Sequence, residues 1–157
     1  MRRKWLILSA GLLWCLVLVS GTALASISTA TLTVSAEISQ SCNINSITDV
    51  DFGLYDPLRL APSDATGSFS FICPPATSYE LYISGLRQMR LGADALDYEL
   101  YTDDARTTAW PGAAPSTETG FVLSPDVITR NVYGRLLALQ FAPMGPYESF
   151  VTIVINF

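Results

Sequence analysis

Apolar and polar residues alternate along residues 28–39. The apolar positions are every second residue, namely Ala30, Leu32, Val34, Ala36 and Ile38. Thr, Ser and Glu occupy the positions between them. Because successive side chains of a strand point to opposite faces, this pattern predicts a long β-strand with one apolar face.

Shorter stretches with the same two-residue period follow in the rest of the chain. They are residues 49–55, 68–73, 78–84, 96–102, 121–123, 131–141 and 147–157. Pro, Gly, Asp and Ser residues typical of turns separate them, and no stretch after residue 25 has the 3.6-residue apolar period of a helix. Six to eight short strands predict an all-β protein, an immunoglobulin-like β-sandwich.

The N-terminus has a different pattern. Basic residues at 2–4 precede an almost wholly apolar run at 5–19, and the small-residue site 23–25 follows. This order is typical of a secretory signal peptide, and the run of roughly 15 residues is shorter than a helix that spans a membrane. We predict a signal peptide cleaved between Ala25 and Ser26, with a retained anchor or a lipoprotein as alternatives.

Removal of residues 1–25 leaves one acidic domain without lysine. Six Arg and fourteen acidic residues remain, a net charge of −8, which suits neither nucleic acid nor an anionic membrane. Cys42 and Cys73 are the cysteines that stay. In an exported protein such a pair predicts a disulfide, with two free thiols as the alternative.

The chain contains no His, which excludes Ser-His-Asp and Cys-His nucleophiles and most zinc sites. It has no Gly-rich phosphate loop, and no Lys remains after residue 25 for Schiff-base chemistry. The remaining candidates for acid–base catalysis or calcium binding are carboxylates near turns, Asp94, Asp97, Glu99, Asp103 and Asp104. Such carboxylates are usually solvated, so we predict no enzyme, no catalytic residue, no metal site and no cofactor.

The last predicted strand has a strongly apolar face, formed by Val151, Ile153, Ile155 and Phe157. A strand of this kind needs a neighbour, since its backbone groups and apolar face are otherwise unpaired. The strand at 28–39 precedes Cys42 and is expected to lie outside the body closed by the disulfide. We therefore expect the N-terminal strand to have no pairing partner in its own domain. The last strand should lack a neighbour on one side.

A series of short motifs runs through the chain in a characteristic order. They are Cys42, Asp51–Pro57, Cys73, Leu96–Asp103, Trp110, Val132–Leu136 and Pro143–Tyr147. Together they resemble the spore coat protein U domain shared by subunits of archaic, Csu-type chaperone–usher pili, over roughly residues 37–157. One departure lies at 144–147, where the family pattern has a Pro-Gly-x-Tyr turn.

The resemblance implies an incomplete sandwich that lacks its last strand. A periplasmic chaperone lends a strand first, and the N-terminal strand of the next subunit replaces it during assembly at an outer-membrane usher. Residues 26–40 then become the donor strand of this chain, and 41–157 the pilin-like domain. The residues implied to fill pockets are Ala30, Leu32, Val34, Ala36 and Ile38, and those implied to line part of the acceptor groove are Val151, Ile153, Ile155 and Phe157.

The expected product is a secreted pilus or coat of like subunits, in the periplasm during transit and then at the cell surface. No contact with nucleic acid is expected, and none with the membrane after cleavage. Two alternatives stay open. Residues 28–39 could be an ordinary first strand of their own sandwich, or the chain could be a monomeric exported binding module or adhesin that stacks a sugar on Tyr101 and Trp110.

Overall fold

The computed structural model describes residues 28–37 and 41–157. Its strands are β1 (Asn43–Thr48), β2 (Ser63–Ile72), β3 (Ser78–Ser84), β4 (Gln88–Leu91), β5 (Asp94–Tyr101), β6 (Glu118–Phe121), β7 (Ile128–Leu136) and β8 (Thr152–Asn156). All strand pairs are antiparallel. They form a five-stranded sheet of order β1-β2-β7-β5-β4 and a three-stranded sheet of order β6-β3-β8. The described residues contain no helix, so the predicted all-β class is confirmed.

The core lies between the inner faces of the two sheets. Apart from Ser70, burial follows the predicted two-residue period on β2, β3 and β5, whose buried apolar residues are Phe69, Phe71, Tyr79, Leu81, Ile83, Leu96, Tyr98 and Leu100. Cys73, just after β2, continues the buried face. Aromatic rings connect the sheets, because Phe71 of β2 meets Tyr79 of β3 edge to face with ring centroids 5.1 Å apart. Packing the two sheets face to face therefore removes the apolar face of each from water.

The smaller sheet is open at one side. β8 pairs with β3 along one edge, and within residues 28–37 and 41–157 its other edge has no ladder partner. An edge strand with an apolar face and unpaired backbone groups is the mark of a sheet with room for another strand. The predicted immunoglobulin-like β-sandwich is therefore confirmed, and the absence of its last strand stays a prediction.

Two strands were not predicted. β1 has no buried residue, so its sequence carries no apolar alternation that a pattern search could find. It forms because its backbone pairs with β2 and because the Cys42–Cys73 disulfide, with Cα atoms 4.3 Å apart, joins the adjoining ends of the two strands. β4 pairs with β5 across a turn at Gly92, whose φ of 63° suits a residue without Cβ.

The prediction of a strand at 49–55 is wrong, since these residues form no strand although they carry alternating apolar side chains. Residues 28–37 form no strand either, and Leu32 and Val34 are 85% and 86% exposed. Alternation shows which face of a segment is apolar, but a strand also needs a backbone partner. The donor-strand assignment stays a prediction, and Ile38 and the cleavage site at Ala25 and Ser26 lie outside the described residues.

Candidate functional site

A cavity of about 1090 Å³ opens beside the free edge of β8. Its floor consists of core side chains from both sheets, among them Phe69, Leu100 and Ile83. The cavity is open to solvent, its lining is more apolar than polar, and its size is that of a binding cleft. We call this space the groove.

One wall of the groove is the segment 47–55, which consists of the last two residues of β1 and the irregular stretch that follows it. This segment crosses the inner face of the larger sheet at two glycines. A Cβ built on Gly67 would lie 2.5 Å from the Thr48 carbonyl oxygen, and one built on Gly134 would lie 2.6 Å from Cγ1 of Val50. The glycines therefore allow the wall to lie directly on the sheet.

The far end of this wall is tied to the segment after β7. The Tyr55 hydroxyl donates to the Leu137 carbonyl oxygen at 2.9 Å and accepts from the Gln140 amide, also at 2.9 Å. Gln140 in turn donates from Nε2 to the Asp97 carbonyl oxygen at 2.8 Å, which connects it to β5. The wall is thus held at its far end by these hydrogen bonds and at its start by the ladder between β1 and β2.

The opposite wall is formed by residues 142–151 and the start of β8. The Tyr98 and Ser149 hydroxyls share a 2.8 Å hydrogen bond that fastens this wall to β5. Tyr98 also contacts the ring of Phe52 from the first wall, with centroids 6.2 Å apart. The side chain of Tyr98 therefore lies where both walls meet the floor.

Of the four residues predicted for the groove, the structure places two on it. Val151 and Ile153 line the cavity and are partly buried. Ile155 packs against the core without lining the cavity, and Phe157 lies at a separate shallow depression beside Tyr79. Of the five predicted donor positions, the four at 30, 32, 34 and 36 are exposed.

Sequence reasoning missed the larger share of the groove lining. Val50, Phe52 and Leu54 carry the alternation that predicted a strand at 49–55, and that apolar set lines the groove instead. Met144 and Phe150 lie in the irregular segment before β8. The strand predicted over 147–157 begins only at Thr152, and it placed Phe150 on the face opposite Val151 and Ile153. Only the Pro143–Tyr147 motif drew attention to that region of the sequence.

The fit of the wall on the sheet predicts the effect of a single methyl group. Gly67→Ala places a Cβ against the Thr48 carbonyl, a backbone atom that can yield only if the wall moves. We expect a loss of about 1–3 kcal/mol in the free energy of unfolding, as for other overpacked sites. Urea unfolding measures this loss as a lower midpoint with an unchanged m-value.

Gly112→Ala is the matched control, because a Cβ there meets no atom within 4 Å. Both substitutions reduce the conformational freedom of the unfolded chain by a similar amount, so their difference isolates the contact. Equal unfolding midpoints for the two variants would show that the wall does not rest on Gly67.

Asp103, one of the carboxylates considered for catalysis, and Asp64 both serve local structure. Burial alone would raise the pKa of Asp103, but hydrogen bonds from the Thr108 and Thr107 amides outweigh it and lower that pKa. On the outer face of the larger sheet, the Arg135 hydrogen bonds to Asp64, at 2.8 and 2.9 Å, lower the pKa of Asp64 despite partial burial. Both groups are occupied as structural acceptors.

The aromatic pair considered for sugar stacking is not a surface platform. Trp110 is 4% exposed and packs in the core, with its ring centroid 5.9 Å from that of Phe69. Tyr101 lies on β5 beside Tyr133 of the neighbouring strand. A buried indole cannot stack on a ligand in solvent.

Within residues 28–37 and 41–157, no group of three or more His, Cys, Asp or Glu is placed to hold a metal ion. The same part of the chain has no helix of the length and apolarity that a membrane span requires.

Comparison with known proteins gives one family. Residues 28–154 match the family model described as Spore Coat Protein U domain. No curated protein matches the chain. A solved structure of the CsuC–CsuE chaperone–tip adhesion subunit pre-assembly complex, from archaic chaperone-usher Csu pili of Acinetobacter baumannii, is similar at 19% identity with a TM-score of 0.47. The alignment covers 75% of this chain and 40% of the matched chain.

Proposed function

The chain belongs to the Spore Coat Protein U domain family, and from that premise we propose that it is a structural subunit of a secreted pilus or coat that polymerises by donor-strand exchange. In this proposal the segment 26–40 of one copy fills the groove of another. The observation that carries the proposal is the groove itself, an apolar gap beside an unpaired strand edge.

The free edge of β8 supports the backbone part of such a joint. Five residues, Thr152–Asn156, pair with β3 on one side and offer the other side to an added strand. Strand addition supplies main-chain hydrogen bonds at the edge, and alternate side chains enter the pockets. A segment with a two-residue apolar period is the complement that this edge needs.

The side chains of residues 28–37 support the apolar part. Leu32 and Val34 are almost fully exposed, which leaves a two-residue apolar pattern in water. Burying each aliphatic side chain contributes roughly 1.5–3 kcal/mol, and ordering the free segment opposes this gain. With backbone pairing added, the balance favours a stable joint between copies.

The same groove accounts for the proposed partners. A periplasmic chaperone that lends a strand would cover the open core until a donor segment arrives, and an outer-membrane usher would bring successive subunits together. The protein would then pass through the periplasm and end at the cell surface in a polymer of like subunits. Cleavage after Ala25 would free the donor segment from the export signal.

Photo-crosslinking tests where the donor segment binds. Two differently tagged copies of the full-length chain are mixed from the native host, one of them with a photoreactive residue at position 34. That residue should crosslink to the peptide of the other copy that contains Val151 and Ile153. The apolar face of the segment enters the groove, so position 34 should lie against β8.

The matched control carries the same photoreactive residue at position 33, on the opposite face of the segment. We expect several-fold fewer crosslinks from it, since that face points to solvent. Crosslinks confined to single chains at every concentration would mean that the segment fills its own groove, and the proposal would be wrong.

A further inference from the structure

Three apolar side chains stand almost fully in solvent where the groove opens. Leu54, Met144 and Phe150 are 102%, 99% and 90% exposed, and all three line the same cavity. Single exposed apolar residues are ordinary on protein surfaces. Three of them around one apolar groove form a patch, and such patches mark contact sites.

The turn that carries Met144 is held in place at three points. The Tyr147 hydroxyl donates to the Pro143 carbonyl oxygen at 3.0 Å, and desolvation, with nearby Asp94, raises the pKa of Tyr147. Glu148 exchanges two backbone hydrogen bonds with Arg90 of β4, at 2.8 and 3.3 Å. The turn is therefore preorganised.

Gly145 is the third point. Its φ of 152° lies in the region that side chains rarely adopt, and a Cβ there would lie 2.5 Å from Cδ2 of Leu91. The turn therefore rests directly on the side chain of β4. A rigid turn that holds an apolar side chain in water is organised for a partner, because rigidity reduces the ordering cost of binding.

The length of the donor segment indicates which part of the groove it would occupy in a second copy. The apolar positions from Ala30 to Ile38 span roughly 26 Å when extended, whereas the five residues of β8 span roughly 13 Å. A donor paired with β8 would therefore extend past it by about half its length, between residues 47–55 and 142–150. Leu54, Met144 and Phe150 are the side chains available to cover it there.

We propose that Leu54, Met144 and Phe150 form a rim clamp that closes over segment 28–38 of a second copy and slows its release. The inference rests on the proposed function and adds to it. The floor of the groove provides the pockets, while the rim sets how long the donor stays.

Dissociation of a labelled peptide tests the clamp. The acceptor is the full-length chain with Leu32→Asp and Val34→Asp, so that its own donor segment does not compete, and the probe is a peptide of residues 28–38. Adding Met144→Ser and Phe150→Ser should raise the dissociation rate roughly tenfold or more, since interface substitutions act mainly on dissociation. Both side chains are exposed, so the fold should persist, as unfolding midpoints can verify.

Leu123→Ser in the same acceptor is the matched control, because Leu123 is 84% exposed and does not line the cavity. It should leave the dissociation rate unchanged. Peptide binding with equal rates in all three acceptors would overturn the clamp and leave the proposed function standing. Failure of the unmodified acceptor to bind the peptide would overturn both.

Two further outcomes would show that the groove is not closed by the rim clamp over a second copy's segment. If the wild-type chain stays monomeric and does not bind the peptide, its own segment fills the groove. This result would overturn the assignment to a second copy. Met144→Leu, which keeps an exposed apolar side chain of similar size, should leave the dissociation rate near that of the unmodified acceptor. A rate as fast as that of the serine variant would show that the turn and not the apolar side chain is responsible, and the clamp would again be wrong.

Discussion

A full-length chain with Leu32→Asp and Val34→Asp is expected to stay monomeric under conditions in which the wild type forms heat-resistant ladders on a denaturing gel. Both residues belong to the apolar set of the donor segment, and both are exposed in the single chain. Their replacement removes roughly 3–6 kcal/mol of apolar burial from each joint. Each buried carboxylate adds a desolvation penalty of several kcal/mol, so the joint should not form.

Thr31→Asp and Thr33→Asp provide the matched control. They add the same two charges to the same segment, but on the face that lies away from the groove. We expect this variant to assemble nearly as the wild type does. Ladders of equal strength from the Leu32/Val34 variant would show that the apolar face of residues 28–38 does not join the copies.

The second large effect concerns the disulfide. Replacing Cys42 and Cys73 by Ala should lower the free energy of unfolding by about 3–4 kcal/mol, because the bridge closes a loop with a sequence separation of 31. The loss should be concentrated on β1, which buries no residue and is otherwise held by its ladder to β2. Denaturant unfolding gives the size of the effect, and hydrogen exchange of residues 43–55 gives its location.

The disulfide also bears on the groove, since β1 leads directly into the wall at 47–55. A frayed β1 would loosen that wall. Adding the two Cys→Ala changes to the Leu32→Asp, Val34→Asp acceptor should therefore make it release the donor peptide faster. Wild type treated with reductant should match the variant, and the variant should not respond to reductant. A variant as stable as the oxidised wild type would show that the ladder alone holds β1.

The core could be predicted from local patterns because each inward face repeats every second residue. Phe69 and Phe71, like Leu81 and Ile83, follow that period, and both pairs are buried. The disulfide between Cys42 and Cys73 was predictable from the cysteine count of an exported chain, and the structure contains it. These predictions needed no knowledge of which strands pair.

The groove could be predicted only in part. Val151 and Ile153 line it, but Ile155 does not, because the cavity extends from β8 toward residues 142–150 rather than along the whole strand. Met144 lies outside every predicted strand, and Phe150 lies in the part of the predicted strand 147–157 that is irregular in the structure, so alternation did not place either side chain on the groove.

By itself, the sequence determined which side chains share a face, where the turns separate strands, and that residues 28–38 carry a two-residue apolar pattern. Tertiary structure decided what each pattern is used for. The alternation at 49–55 became a groove wall on Gly67 and Gly134, whereas polar β1 became a strand through pairing with β2. The reason is physical: alternation is a property of single residues, whereas a strand or a groove depends on which backbone lies alongside.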